Sequence, residues 1–221
     1  MMNLLCKVVS LLATSIVASA RTISIEPTLA TARITPHESY SSSVGVIGCK
    51  VNTNRIAYWP SPVDCNDICV RVSHEGRSLN LLKVDTSSGA FDISYDAWNY
   101  LGYGVSAIDV PMTGGELSME YQFVPAHECT ELIDGGSLPL LAANSMNYLA
   151  ACLAQPDSFV AQNYRLYNIL DPVCHWGTDE LCTLDLAVSN QPACPGGLGS
   201  NAPLNIPVRN VQYGTGELIV A

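Results

Sequence analysis

Positive charge is scarce in this 221-residue chain: ten Lys and Arg stand against twenty Asp and Glu, a formal net charge of −10. Such a surface repels phosphate backbones and anionic headgroups through its long-range field, which disfavours nucleic acid and membranes and leaves neutral polymers or basic proteins as partners. An apolar stretch of bilayer-spanning length is also missing. The one candidate, residues 8–17, follows a single charge, Lys7, and precedes Ala18-Ser19-Ala20, the pattern of a signal peptide over residues 1–20 that is cleaved on export. Asn-x-Ser/Thr sequons are absent, which excludes the usual N-glycan. The chain has no G-x-S-x-G elbow and no Ser-His-Asp order, and "GTGELIVA" at its end lacks the apolar tail of a lipid anchor.

Cysteine, by contrast, is plentiful. Removing Cys6 with the leader leaves Cys49, Cys65, Cys69, Cys129, Cys152, Cys174, Cys182 and Cys194. An even number in an exported chain implies four disulfides rather than free thiolates. Cys65 and Cys69, with His74 nearby, imitate zinc-ligand spacing, but no matching Cys/His knuckle follows, so neither a metal nor another cofactor is expected.

Residues 21–42 are rich in Ser, Thr and Pro and read as an N-terminal arm or edge strand. In "CVRVSHEGRSLNLLKVD", Val70 and Val72 alternate with Arg71 and Ser73, "HEGR" supplies a Gly-containing turn and "SLNLLKV" resumes as a strand, which predicts a hairpin. "ELSMEYQFV" carries the clearest period of two, with Leu117, Met119, Tyr121 and Phe123 on one face. "ISYDAWNYL" predicts a short helix with Ser94 as its cap. Residues 138–155 place Leu138, Leu141, Ala142, Leu149, Cys152 and Leu153 near one helical face, and a second helix is expected from Ser158 to Leu170. From Cys174 onward the chain reads as disulfide-held loop.

The order of a cysteine pair, an alternating strand, a Gly-containing hairpin, a strand ending in Asp and a Phe-Asp-Ile segment before a helix is found here as "DCNDICVRVSHEGRSLNLLKVDTSSGAFDISYDAWNYL". It resembles the cerato-platanins, small secreted fungal proteins, although "CNDIC" is one residue longer than C-x-x-C. "MEYQFVPAHEC" is similar to the last strand and cysteine of barwin-like proteins. The resemblance covers residues 40–130 and implies the six-stranded double-psi β-barrel shared with expansins. The expected fold is therefore mainly β, with a barrel over residues 43–130 and a disulfide-stapled, partly helical extension over residues 131–221. It also implies the pairs Cys49–Cys65 and Cys69–Cys129, leaving Cys152, Cys174, Cys182 and Cys194 to pair among themselves in any of three ways.

In expansins, an Asp ending the central strand and another in a Phe-Asp segment line a polysaccharide groove. Asp85 in "KVD" and Asp92 in "AFDIS" match both positions. Endoglucanases on this barrel take their base from a Tyr-Trp-Asp segment, whereas "AYWPSPVDC" has Pro60 there, with Asp64 beside Cys65. The resemblance thus implies a candidate acid, Asp92 with Asp85, and no base, so no catalytic residue for glycoside cleavage is assigned. Thr86 and Ser87 supply hydroxyls for hydrogen bonds, and Tyr58, Trp59 and Tyr103 supply rings on which pyranose faces stack. Each acid also has a structural reading, Asp85 as an anchor for turn backbone and Asp92 as a helix cap. The expected activity is binding and loosening of neutral cell-wall polysaccharide, cellulose, glucan or chitin, without hydrolysis. The alternatives are an effector or elicitor acting on an extracellular host protein or chitin fragment, glycoside cleavage, and inhibition of a secreted protease. His175 and Trp176, in "CHWGTDELC", mark a second candidate surface on a cysteine-closed loop.

Overall fold

The computed structural model describes residues 29–221; the expected signal peptide lies outside them. Six strands close a barrel: β1 (Ala30–His37), β2 (Ile56–Trp59), β3 (Cys69–His74), β4 (Arg77–Thr86), β5 (Phe91–Ser94) and β6 (Leu117–Val124), in the order β1-β5-β2-β4-β3-β6 with β6 returning to β1. Pairing is mixed. β1 runs parallel to β5 and β2 parallel to β4, while the other four contacts are antiparallel.

Local sequence explains several of these elements. In the β3–β4 hairpin, Glu75 and Gly76 both take left-handed backbone angles (φ 48° and 81°), as a two-residue turn matching the strand twist requires. Helix α1 (Tyr95–Tyr103) follows β5 directly and stops at Gly104, whose φ of 80° lets its N–H reach the Tyr100 carbonyl. Ser94 precedes α1 without capping it through its side chain. Its Oγ accepts instead from the Ile56 N–H at 3.1 Å and so ties β5 to β2.

β1 lies inside the stretch read as an arm. Ala32 and Ile34 face an apolar cluster shared with Val70, Val72, Leu81, Ile93, Trp98 and Leu101, so this segment is part of the barrel wall. A second cluster joins Ile56, Leu82 and Val84 to Leu138, Leu140, Leu149, Val160, Leu166 and Ile169. The chain after residue 131 therefore packs into a core continuous with the barrel.

That region corrects the two expected helices. Residues 138–155 form a strand, β7 (Leu138–Leu141), and then a helix, α2 (Met146–Leu153). All four β7 residues are buried, which gives the continuous apolar run of a strand covered on both faces. Instead of running to Leu170, the second helix, α3, covers only Phe159–Gln162, with Ser158 Oγ accepting from the Ala161 N–H, and gives way to β8 (Tyr164–Ile169). β7 runs parallel to β8, and β8 antiparallel to β9 (Gly177–Cys182). A hairpin of β10 (Arg209–Val211) and β11 (Leu218–Val220) ends the chain, with Asn210 accepting from the Tyr40 N–H at 3.0 Å. Among the described residues no helix is long and apolar enough to cross a membrane.

Four disulfides form. Cys69–Cys129 is present, whereas Cys49–Cys65 is not: Cys49 bonds Cys174, Cys65 bonds Cys152, and Cys182 bonds Cys194. The shared apolar cluster is the reason. It folds the C-terminal region back onto the barrel and brings Cys174 within 6.2 Å and Cys152 within 5.4 Å, Cα to Cα, of their partners.

Candidate functional site

β5, β2 and β4 are neighbours, and their register sets Asp92 opposite Tyr58 and Tyr58 opposite Asp85. Tyr58 thus stands between the two acids in the sheet, Asp85 across a register shift that follows Ala57, with the acid backbones ~10 Å apart at ordinary strand spacing. β1 extends the row, because Thr35 pairs with Asp92 and its hydroxyl donates to the Asp92 carboxylate. The His37 ring packs on the Tyr58 ring with centroids 4.3 Å apart. Burial, reinforced by the charges of Asp85 and Asp92, pushes the Tyr58 phenol far above its ordinary range, so it stays protonated and donates to the Ser39 carbonyl.

Asp85 is the more heavily engaged acid. One oxygen accepts from Ser41 Oγ at 2.6 Å, and the other from the N–H groups of Ser43 (3.0 Å) and Thr86 (2.7 Å). It fastens the loop after β1 to the end of β4. Asp92 is half-buried and has the Thr35 hydroxyl as its side-chain partner.

The other predicted site residues separate. Tyr58 and Trp59 are 3 % and 2 % exposed, so neither offers a face to a sugar; β2 is central in the sheet and covered on both sides. Trp59 lies edge-on to Phe91 and Tyr121, with centroids 5.3 and 5.4 Å away. Tyr103 is 39 % exposed and stands at the end of α1, its ring against Trp98. Thr86 is exposed, its hydroxyl 3.4 Å from the Ser61 carbonyl, while Ser87 closes the following turn by donating to the Ala90 carbonyl.

Thr35, His37, Ser41 and Ser43 belong to the site and were missed in the sequence. Thr31, Arg33 and Thr35 alternate with Ala32 and Ile34, a period of two that would have placed Thr35 on a strand.

Asp64 is engaged by its own turn. Its carboxylate accepts the N–H groups of Asn66 (2.7 Å) and Asp67 (3.1 Å), and these bonds hold it below the usual aspartate range. A depressed folded-state value means that the stability it contributes is present above the ordinary aspartate range and lost as pH falls through the lower folded one. Asp64→Asn is therefore expected to flatten the acid side of the melting-temperature profile by about 1–2 °C near pH 3, as read by circular dichroism. An unchanged acid limb would show that the turn contributes nothing.

Compared with known protein families, with curated proteins and with solved structures, the chain matches none.

Proposed function

We propose that the barrel is a double-psi β-barrel of the expansin-like kind, and that the exported protein binds and loosens neutral cell-wall polysaccharide without hydrolysing it. The supporting observation is the placement of Asp92 and Asp85 on either side of Tyr58. Around them the hydroxyls of Thr35, Ser41, Ser43 and Thr86 supply donors and acceptors that suit sugar hydroxyls. Neutral polymers suit the acidic surface, and four disulfides suit an oxidising extracellular compartment.

Hydrolysis would need a second carboxylate free to activate water or attack carbon. Asp85 is occupied by Ser41, Ser43 and Thr86, and Asp64 by its own turn. The row is thus a binding surface with one available acid.

Co-sedimentation with cellulose, β-glucan and chitin tests the reading. The wild type should pellet with at least one polymer and release no reducing ends. Asp92→Asn keeps the acceptor for Thr35 but removes the charge, and should weaken retention by about tenfold, the value of one charge-assisted hydrogen bond. Retention by no polysaccharide would put an extracellular protein partner in its place, and released reducing ends would overturn the absence of hydrolysis.

A further inference from the structure

The edge of a sheet is a row of unpaired N–H and C=O groups, and this fold covers nearly all of its edges. The barrel closes on itself. On the outer side of β7, the Pro139 carbonyl accepts from the Ile47 N–H (3.0 Å) and the Leu141 N–H donates to the Gly45 carbonyl (2.9 Å). On the outer side of β9, the Gly177 N–H donates to the Ala202 carbonyl at 2.8 Å. In β10, the Arg209 carbonyl accepts from the Thr53 hydroxyl at 3.3 Å.

β11 is the exception. Along the β10–β11 ladder, Gln212 N–H donates to the Glu217 carbonyl (2.8 Å) and Ala221 N–H to the Val208 carbonyl (3.0 Å). These bonds set the alternation of an antiparallel pair: Glu217, Ile219 and Ala221 turn their backbone groups toward β10, and Leu218 and Val220 turn theirs outward. The outward N–H and C=O groups have no hydrogen-bond partner among the described residues. Their side chains are open as well, Leu218 at 50 % and Val220 at 53 % exposure. Leu218–Val220 carries none of the usual guards against pairing, neither a lysine nor a proline nor a bulge.

The surroundings of this edge are apolar and nearly free of charge. Leu218 lines a cleft of about 410 Å³ with Val51, Ile108, Ile206 and Val208, in which Arg209 is the one charged side chain. Residues 204–221 hold one Arg and one Glu, in a chain whose net charge is −10. Two such chains repel each other across most of their surfaces and can meet only where the charge is absent.

A second copy of the chain fits this edge because the edge is self-complementary. Turned antiparallel about a two-fold axis at Ile219, Leu218 faces the partner's Val220, and Val220 faces the partner's Leu218. Each pair exchanges two N–H···O=C bonds, so every open backbone group of both strands is satisfied. The same register makes two apolar Leu–Val cross-strand contacts.

We infer that β11 is a dimerisation edge, at which two copies of the chain join into one four-stranded sheet, β10-β11-β11-β10. Three residues a side make a contact smaller than a standard interface, so association is reversible, with a dissociation constant on the order of 10–100 µM. The inference does not depend on what the barrel binds.

Sedimentation velocity from about 5 to 500 µM protein tests it, on the wild type, Val220→Pro and Leu218→Lys. Val220→Pro removes an outward N–H and leaves the bonds to β10 in place, since proline is tolerated where the N–H faces away from the sheet. Leu218→Lys places a charge on the edge while lowering the net repulsion between copies, so lost association cannot be blamed on added like charge. The wild type should pass from monomer to dimer across the range. Both variants should melt within ~2 °C of it and associate at least tenfold more weakly. Raising NaCl from about 50 to 500 mM should tighten the wild-type dimer, because screening relieves the general repulsion and breaks no ion pair. A wild type that stays monomeric at the highest concentration would overturn the proposal and leave the edge to a strand of another protein. A dimer that survives both substitutions, or that salt weakens, would place the contact on a different face.

Discussion

Replacing Asp96 with alanine is expected to lower the melting temperature by about 10 °C, through a loss of ~3–5 kcal/mol. Asp96 lies in the first turn of α1 and is only 4 % exposed. One carboxylate oxygen meets the Arg55 guanidinium at 2.7 Å; the other accepts from Ser106 Oγ at 2.5 Å and from the Ala107 N–H at 2.8 Å. Truncation leaves a largely covered guanidinium without its counter-charge and a buried N–H without an acceptor, the two most expensive defects a polar deletion creates. Asn99, one turn along the helix, binds the same loop through Val105, Val110 and Met112, so the loop should loosen without detaching. Arg55→Met should cost less, because Asp96 keeps Ser106 and Ala107. Thermal unfolding followed by circular dichroism decides the matter. A drop below ~3 °C for Asp96→Ala would place the pair among exposed ion pairs of little consequence.

The second large effect is expected from opening Cys49–Cys174 with paired serine substitutions. The two residues are 125 apart in sequence, for which chain entropy alone gives about 5 kcal/mol. Cys65–Cys152 lies nested inside that span and already shortens the path, leaving an effective loop of about 40 residues and a cost of ~4 kcal/mol. Opening either nested bridge alone should therefore lower the melting temperature by roughly 10 °C, and opening both should cost more than twice as much. Cys182–Cys194 closes only 12 residues and should cost about 3 kcal/mol. Melting the three paired-serine variants, each refolded with its remaining bridges oxidised, tests this ordering. A smaller loss for Cys49–Cys174 than for Cys182–Cys194 would show that packing in the shared core, and not the crosslink, joins the C-terminal region to the barrel.

The sequence revealed elements whose two faces differ and concealed those whose faces are alike. β3 and β6 alternate over part of their length because one side of each is covered more than the other, and the Glu75-Gly76 turn marks its own hairpin even though Leu81 to Val84 of β4 are all buried. β7 is buried on both faces, so its Leu-rich run has no period of two and merges with the true helix α2 behind it. β2 is covered on both sides too, and for that reason Tyr58 and Trp59, read as exposed rings, are core residues. The proximity of Asp85 and Asp92 depends on β2 pairing with β4 in parallel and with β5 in antiparallel, a fact of topology that periodicity does not carry. It came within reach only through the family resemblance. The bonds of Cys49 and Cys65 were hidden for a related reason, since they join two regions whose shared core shows only in three dimensions.

β1 closes the barrel, yet its partners are distant in the chain: Ile34 pairs with Phe91, and Ala30 with Tyr121. During synthesis the first strand to emerge must wait for both neighbours, roughly ten seconds at ordinary translation speeds. Throughout that interval Ala32 and Ile34 lack the neighbours that cover them in the finished barrel. Assembly of this protein should consequently be slow, and the nascent chain most vulnerable to aggregation in the gap between delivery of its first strand and delivery of its sixth.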